Sequence, residues 1–179
     1  MIHNNNLNKF YFIDSFNKQH IQSLNKNINI IYRNYTEKYN KEKILEIKNF
    51  CRQIGKKFFL ANDIDLTLKL NLDGAYIPAF NNNLSVYKLK NKNMFLLGSA
   101  HNLKEINQKK KQGVDLIFIA PVFKTTKSSN FLNVIKFNIL ANLLNGKAIA
   151  LGGFNKSNIK KIKVLNCFGY ASISYIKGV

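Results

Sequence analysis

Acidic side chains are scarce in this sequence: nine Asp and Glu face 28 Lys and Arg, for a formal net charge of +19. Arginine is scarcer still, with Arg33 and Arg52 as its two representatives. A basic chain invites a nucleic-acid reading. Against that as a primary role, the charge sits almost entirely on scattered lysines, and the densest run, Lys109-Lys110-Lys111, falls inside a predicted helix. With abundant Asn and Ile, this is the composition an AT-rich coding sequence favours. Cysteine is sparse too. Cys51 and Cys167 make no CxxC or Cys/His spacing, which leaves two reduced, partly buried thiols as the expectation. No apolar run approaches the roughly 18 residues of a membrane span. The N-terminus, MIHNNNLNKF, is polar and lacks a signal-peptide core. The expectation is a soluble cytoplasmic protein with no membrane partner.

What is present is an ordinary globular share of apolar residues, 46% of 179, enough for one domain over residues 1–179 with a real core. Short runs of Ile, Phe, Val and Leu alternate with amphipathic, lysine-studded stretches. Strands are predicted at Phe10–Ile13, Ile28–Tyr32, Phe58–Ala61, Ala75–Ile77, Met94–Gly98, Leu116–Val122, Ala148–Leu151 and Tyr170–Ile173. Lys41–Ile54 carries the spacing of a half-buried helix, and Asn102-Leu-Lys-Glu105 is a capping box opening a helix that ends at Gly113. Asn155 is placed to cap Ser157–Leu165. Eight strand–helix units point to a (β/α)₈ TIM barrel, and because the chain stops soon after strand eight, the final outer helix is expected to be missing. A doubly wound open sheet is the alternative, but no GxGxxG follows the first strand. No linker, low-complexity tract or second domain interrupts the pattern.

In a barrel of this kind the chemistry sits at the C-terminal strand ends, and the opposite rim serves stability. Asp73 and Asp115 precede their strands and fall on the structural rim. On the chemical rim lie Asp14, Arg33, Asn62, Asp63, Asp65, Ser99, His101, Thr125, Thr126, Lys127, Gly152, Gly153 and Ser174. Gly152-Gly153 before a helix offers backbone N–H groups and a favourable dipole for an anion. A hydroxyl at Ser174 would complete a phosphate cradle, and Arg33 and Lys127 add positive charge. Asp63, with Asn62 beside it, suits Mg²⁺ holding a diphosphate. His101 reads more readily as a backbone-bonded residue near a helix start than as a general acid or base.

The segments IIYRNY, LANDIDLTLKLNLDGAYI, LLGSAH, GVDLIFIAPVF-T-TK, AIALGG and GYASISYI, in that order, resemble the thiamine-phosphate synthase/TenI superfamily. The resemblance covers nearly all of the chain after residue 28. It implies a TIM barrel that takes small phosphorylated substrates. In the synthase branch a pyrimidine diphosphate ionises to a cation and pyrophosphate, and the ring nitrogen of a thiazole phosphate captures the cation. Mg²⁺ neutralises the departing diphosphate. Carried over by position, Arg33 matches the family's arginine, Ser99 the serine of its S-x-H stretch, and Asn62-Asp63 its Asn-Asp pair, of which the Asp binds metal. Thr125 and Lys127 match the strand-six loop if one residue is deleted there. Gly152, Gly153 and Ser174 match the thiazole-phosphate cradle.

The departures matter as much. Ile31 stands for the family's glutamine and Tyr35 for its lysine. The strand-four loop, which in the family carries a second metal-binding Asp, reads Ile77-Pro78-Ala79-Phe80-Asn81. Asn81 can offer a carbonyl oxygen but no charge, which lowers the expected Mg²⁺ affinity. Pro121 stands where the TenI branch, a metal-free thiazole phosphate tautomerase, has a histidine. Three functions follow in order: a synthase, a non-catalytic binder of phosphorylated thiamine precursors, and a tautomerase. A missing last helix would leave apolar surface by strand eight, for which a homo-oligomer is the expected cover.

Overall fold

The computed structural model describes residues 7–126, 129–172 and Ile176. Eight parallel strands close into a barrel in chain order: β1 (Asn8–Ile13), β2 (Ile28–Tyr32), β3 (Phe58–Ala61), β4 (Gly74–Ile77), β5 (Phe95–Ala100), β6 (Leu116–Ile119), β7 (Ala148–Leu151) and β8 (Gly169–Ala171). β8 pairs back onto β1, with Phe10 opposite Ala171. The closed parallel barrel is the one the alternating apolar runs predict. Strand five begins and ends later than predicted, and strand six ends at Ile119 rather than Val122. Pro121, joined to Ala120 by a cis bond, has no N–H to give the ladder, so the regular strand stops before it.

Alternate residues point into the barrel. Phe10, Phe12, Ile31, Phe59, Tyr76, Leu97, Phe118 and Ile149 fill it as one cluster. Its centre is aromatic: Phe118 stands edge-on to Phe10 (5.0 Å between centroids), Tyr76 (5.5 Å) and Phe12 (6.0 Å), and Phe12 meets Tyr76 at 5.1 Å. Such pairs add about 0.5–1.5 kcal/mol each beyond burial of their area. The outward-facing residues pack under helices in two further clusters, one around β1–β3 and one around β4–β8.

Five α-helices cover the barrel among the described residues: α1 (Lys18–Ser23), α2 (Lys41–Gln53), α3 (Ile64–Lys69), α4 (Leu103–Lys111) and α5 (Asn133–Asn142). Two 3₁₀ helices, Leu84–Lys92 and Ile159–Val164, add to them. The abundant asparagine is used at their ends. Asn17, Asn40, Asn83 and Asn102 each accept a backbone N–H as N-caps, a contribution of about 1 kcal/mol apiece. Asn62, Asn71, Asn93, Asn133 and Asn145 take left-handed backbone, which Asn tolerates better than other side chains do. The predicted capping box is present in part: Glu105 N–H bonds to the Asn102 side chain, while the Glu105 carboxylate takes the N–H of His101, one residue before the cap.

The predicted helix Ser157–Leu165 is corrected to the six-residue 3₁₀ turn. Asn155 Oδ1 takes the N–H groups of Ser157 and Asn158, and such side-chain bonds compete with a regular helical start. On the lower rim, Asp73 accepts from Phe58 N–H and Asp115 from Leu96 N–H, each tying a loop to a neighbouring strand. No helix among the described residues is long and apolar enough to cross a membrane. α5 exposes Ile135, Ile139 and Leu143 along one face.

Candidate active site at the barrel mouth

Arg33 leaves β2 with its N–H bonded to Ile13 O at 2.8 Å. Its guanidinium lies over the Phe12 ring, 4.7 Å from the centroid, so it stands on the aromatic filling of the barrel. Tyr76 is fully enclosed inside β4, and Ser99 and Arg33 stand close enough to its hydroxyl to act on it. Burial raises the phenol's pKa, and those two partners pull against the rise. Arg33, Tyr76 and Ser99 therefore form one connected floor beneath the C-terminal opening.

Above this floor a cavity of about 750 Å³ opens between the loops after β1, β6 and β7. Arg33, Lys124, Thr125, Gly152 and Gly153 line it. Both glycines have positive φ, +94° and +75°. A Cβ on Gly152 would sit 3.0 Å from Pro121 Cβ, and one on Gly153 would collide with the Phe123 carbonyl. The pair is therefore glycine for close packing of the β6 and β7 loops, which brings backbone to the cavity lip. The helix dipole expected behind it is not supplied, because only the short 3₁₀ turn follows. Asn158 Nδ2 donates to Gly153 O at 2.7 Å and fixes the lip from the other side.

The outer wall of the same cavity carries Tyr11, Asp14, Asn17 and His20. His20 Nε2 lies 3.0 Å from the Tyr11 hydroxyl. Sequence reasoning named neither residue, because Tyr11 reads as an ordinary outward strand position and His20 as a helix-surface residue.

The β3–β4 side of the mouth differs. Asn62 and Asp63 follow β3, and Asn81 lies in the loop after β4. Asn81 Nδ2 donates to Asn62 Oδ1 at 2.6 Å, while Asn81 Oδ1 accepts from Asn83 N–H at 2.8 Å. Asp63 caps α3, its Oδ1 accepting from Leu66 N–H at 2.8 Å. The Mg²⁺ that the family resemblance implies does not suit this set. Divalent magnesium seeks several oxygens around it, and here an amide N–H₂ occupies the place facing Asn62, with one carboxylate nearby. Among the described residues, no group of three His, Cys, Asp or Glu could hold a metal.

Two aromatic side chains crowd the same wall. Tyr35 and Phe80, both more than half exposed, meet edge-on at 5.8 Å. Desolvation raises the Tyr35 phenol's pKa, with Tyr76 adding to the rise and Arg33 opposing it. Tyr39 is pushed up to about 12, chiefly by desolvation. Beneath the loop, Lys109 and Gln112 of α4, both buried, donate to the Asn81 carbonyl at 2.8 and 2.9 Å. Burial lowers Lys109 to about 8.

Of the residues singled out from sequence, Arg33, Thr125, Gly152 and Gly153 share the cavity. Ser99, buried at the end of β5, does not line it and stands with Arg33 near the Tyr76 hydroxyl. Asn62 and Asp63 stand with Asn81 on the other wall. Lys127 and Ser174 lie outside the described residues. His101 Nδ1 lies 2.8 Å from Ala120 O, the backbone role expected of it. Tyr76 was missed because a tyrosine within an apolar strand carries no signal beyond core packing.

A closed parallel barrel with its cavity at the C-terminal mouth defines a TIM-barrel protein. Residues 15–176 match the family described as thiamine monophosphate synthase, and the chain belongs to that family. It is 28% identical over 158 residues to a thiamine-phosphate synthase of Prochlorococcus marinus subsp. pastoris, covering 85% of this chain and 44% of that protein. It is 29% identical over 140 residues to one of Clostridioides difficile, covering 75% of this chain and 65% of the relative. The chain thus spans less than half the length of the Prochlorococcus relatives it matches. A solved thiamine phosphate pyrophosphorylase from Pyrococcus furiosus superposes with a TM-score of 0.80 at 20% identity, covering 98% of this chain and 89% of that one, a likeness of fold.

Proposed function

We propose that the protein is a thiamine-phosphate synthase-like enzyme that joins a pyrimidine diphosphate to a thiazole phosphate and releases pyrophosphate. The observation that carries this reading is the convergence of Arg33, Thr125, Gly152 and Gly153 on one cavity, in a chain of this family. In the reaction, the bond between the pyrimidine methylene carbon and the diphosphate oxygen breaks, and its electron pair leaves with pyrophosphate. The lone pair of the thiazole nitrogen then forms the new C–N bond, and no proton is exchanged.

Arg33 is the group assigned to the negative charge that develops on the departing oxygen, and its seat over the Phe12 ring supports that role because a cation fixed in advance lowers the barrier. Lys124 and Thr125 face the same space, and Gly152 and Gly153 offer a lip for the second phosphate. Ser174 and Lys127 are assigned to the phosphate cradle and the diphosphate by position in the family pattern. Ser99 is a positioning residue that acts through Tyr76. The exposed faces of Tyr35 and Phe80 suit a planar heterocycle. No step is assigned to Asp63-bound metal.

The test is a synthesis assay with both precursors, with and without Mg²⁺, scored by thiamine phosphate formed, with Arg33→Ala as the control. Product that depends on Arg33 supports the reading. Tight binding of the thiazole phosphate with no product under any condition sinks it. That outcome is the second reading, a binder without turnover, which the closed Asn62–Asn81 pair favours.

A further inference from the structure

The family resemblance places a divalent cation on the β3–β4 wall, and this chain has built something else there. Asn81 turns its amide nitrogen toward Asn62 and its oxygen toward Asn83 N–H, so both ends of the side chain are engaged. Asn62 Oδ1 faces that nitrogen. Asp63 has one oxygen committed to the start of α3. Rotating Asn81 to present oxygen would bring it against Asn62 Oδ1 and strip the bond from Asn83. The arrangement is also held from behind, since Lys109 and Gln112 both grip the Asn81 carbonyl from within α4. Tyr35 and Phe80 line the approach with ring surface, whereas magnesium keeps several waters that need polar neighbours. Among the described residues, Arg33 and Lys124 bring positive charge to the cavity instead.

We propose that this mouth binds the diphosphate group of its ligand without a divalent cation, Arg33 and the β6-loop lysine Lys124 supplying the positive charge, while the Asn62–Asn81 pair forms a closed, neutral wall. The inference rests on the synthase-like reading of the cavity, because it concerns the same diphosphate. It predicts a metal-indifferent anion site in a protein that resembles a synthase branch expected to use Mg²⁺.

The test uses inorganic pyrophosphate as the probe and calorimetric titration of the full chain, once in EDTA and once in Mg²⁺. Affinity in Mg²⁺ is expected to be equal to that in EDTA or weaker, since free Mg²⁺ competes for pyrophosphate in solution. A wild-type protein whose binding tightens about tenfold or more in Mg²⁺ overturns the proposal, because a carboxylate-held metal bridging to phosphate has that signature. Asn81→Asp opens the pair and adds the missing charge, and it is expected to acquire Mg²⁺-dependent tightening. If that variant misfolds by circular dichroism, Lys124→Ala gives the second arm: pyrophosphate binding in EDTA should weaken several-fold, as loss of one phosphate-facing cation does. Unchanged binding in that arm counts against the proposal. The two readings fail differently. Mg²⁺-dependent binding sinks the metal-free inference and leaves the synthase-like function standing. Absence of pyrophosphate binding in both buffers sinks both.

Discussion

The two halves of the barrel mouth are built on opposite principles. On the β6–β7 side, loops pack through glycine backbone, and the polar groups they carry face an open cavity. On the β3–β4 side, polar side chains are turned on one another: Asn81 bonds Asn62, Asp63 caps α3, and Lys109 holds the loop from below. The first half is the one to which the proposed function gives the ligand. The second is already satisfied internally, which makes it rigid and keeps it neutral. Arg33 and Tyr76 form the seam between them.

Breaking the open half should have the largest effect. Arg33→Ala is expected to lower kcat/KM in the two-precursor assay by about 10²–10³, the scale of losing a preorganised donor at a developing charge. Its far-ultraviolet circular dichroism should stay unchanged. Gly153→Ala comes next. It forces a Cβ into the Phe123 carbonyl at φ +75° and should lower unfolding free energy by about 2–3 kcal/mol in urea. Gly55→Ala, at φ +70° with nothing within 4 Å, should cost only about 1 kcal/mol.

The closed half is tested through its support. Lys109 sits at about 8 in the folded protein, below the ordinary lysine value of 10.5. Between those values the unfolded chain binds more protons, so this lysine makes stability rise with pH, by up to about 1.4 kcal/mol per pH unit. Its contribution is complete above pH 10.5 and is lost as pH falls through 8. Cys51, raised to about 12 by burial, works in the opposite sense above pH 9. The quantity to measure is therefore the difference between wild type and Lys109→Met in urea from pH 7 to 10, and its slope should come from Lys109 alone. A difference that does not change with pH would remove the charged-lysine account of the wall.

At the seam, Tyr76→Phe removes the hydroxyl that stands beside Arg33 and Ser99, at about 1 kcal/mol of stability. It should raise KM for the diphosphate more than it lowers kcat, a split that loss of core packing alone would not give. The smallest effect is expected from Tyr35→Ala. It should weaken binding of the pyrimidine diphosphate by a few-fold, the worth of one aromatic contact at about 0.5–1.5 kcal/mol. Inorganic pyrophosphate should bind it as before.

The barrel itself could be read from the sequence because its signal is local: three-to-seven-residue apolar runs alternating with amphipathic stretches. The roles of Asp73 and Asp115 followed from their place before a strand. What escaped reading depended on orientation across the fold. Asn81 has the composition of an oxygen ligand, and only the position of Asn83 N–H and Asn62 decides that its nitrogen, not its oxygen, faces Asn62. Tyr76 is indistinguishable from core filling until Arg33 and Ser99 are found close enough to act on its hydroxyl. Asn155 promised a helix and delivered a turn, because its oxygen was shared among several N–H donors.

The interlocked rings inside the barrel have one last effect, on depth. Phe10, Phe12, Tyr76 and Phe118 occupy the bore up to the level of Arg33, so a bound molecule rests on this plug and cannot sink between the strands. Selectivity must then be exercised sideways, by the rim loops. The strands are left free to change sequence as long as they keep the plug at the same height.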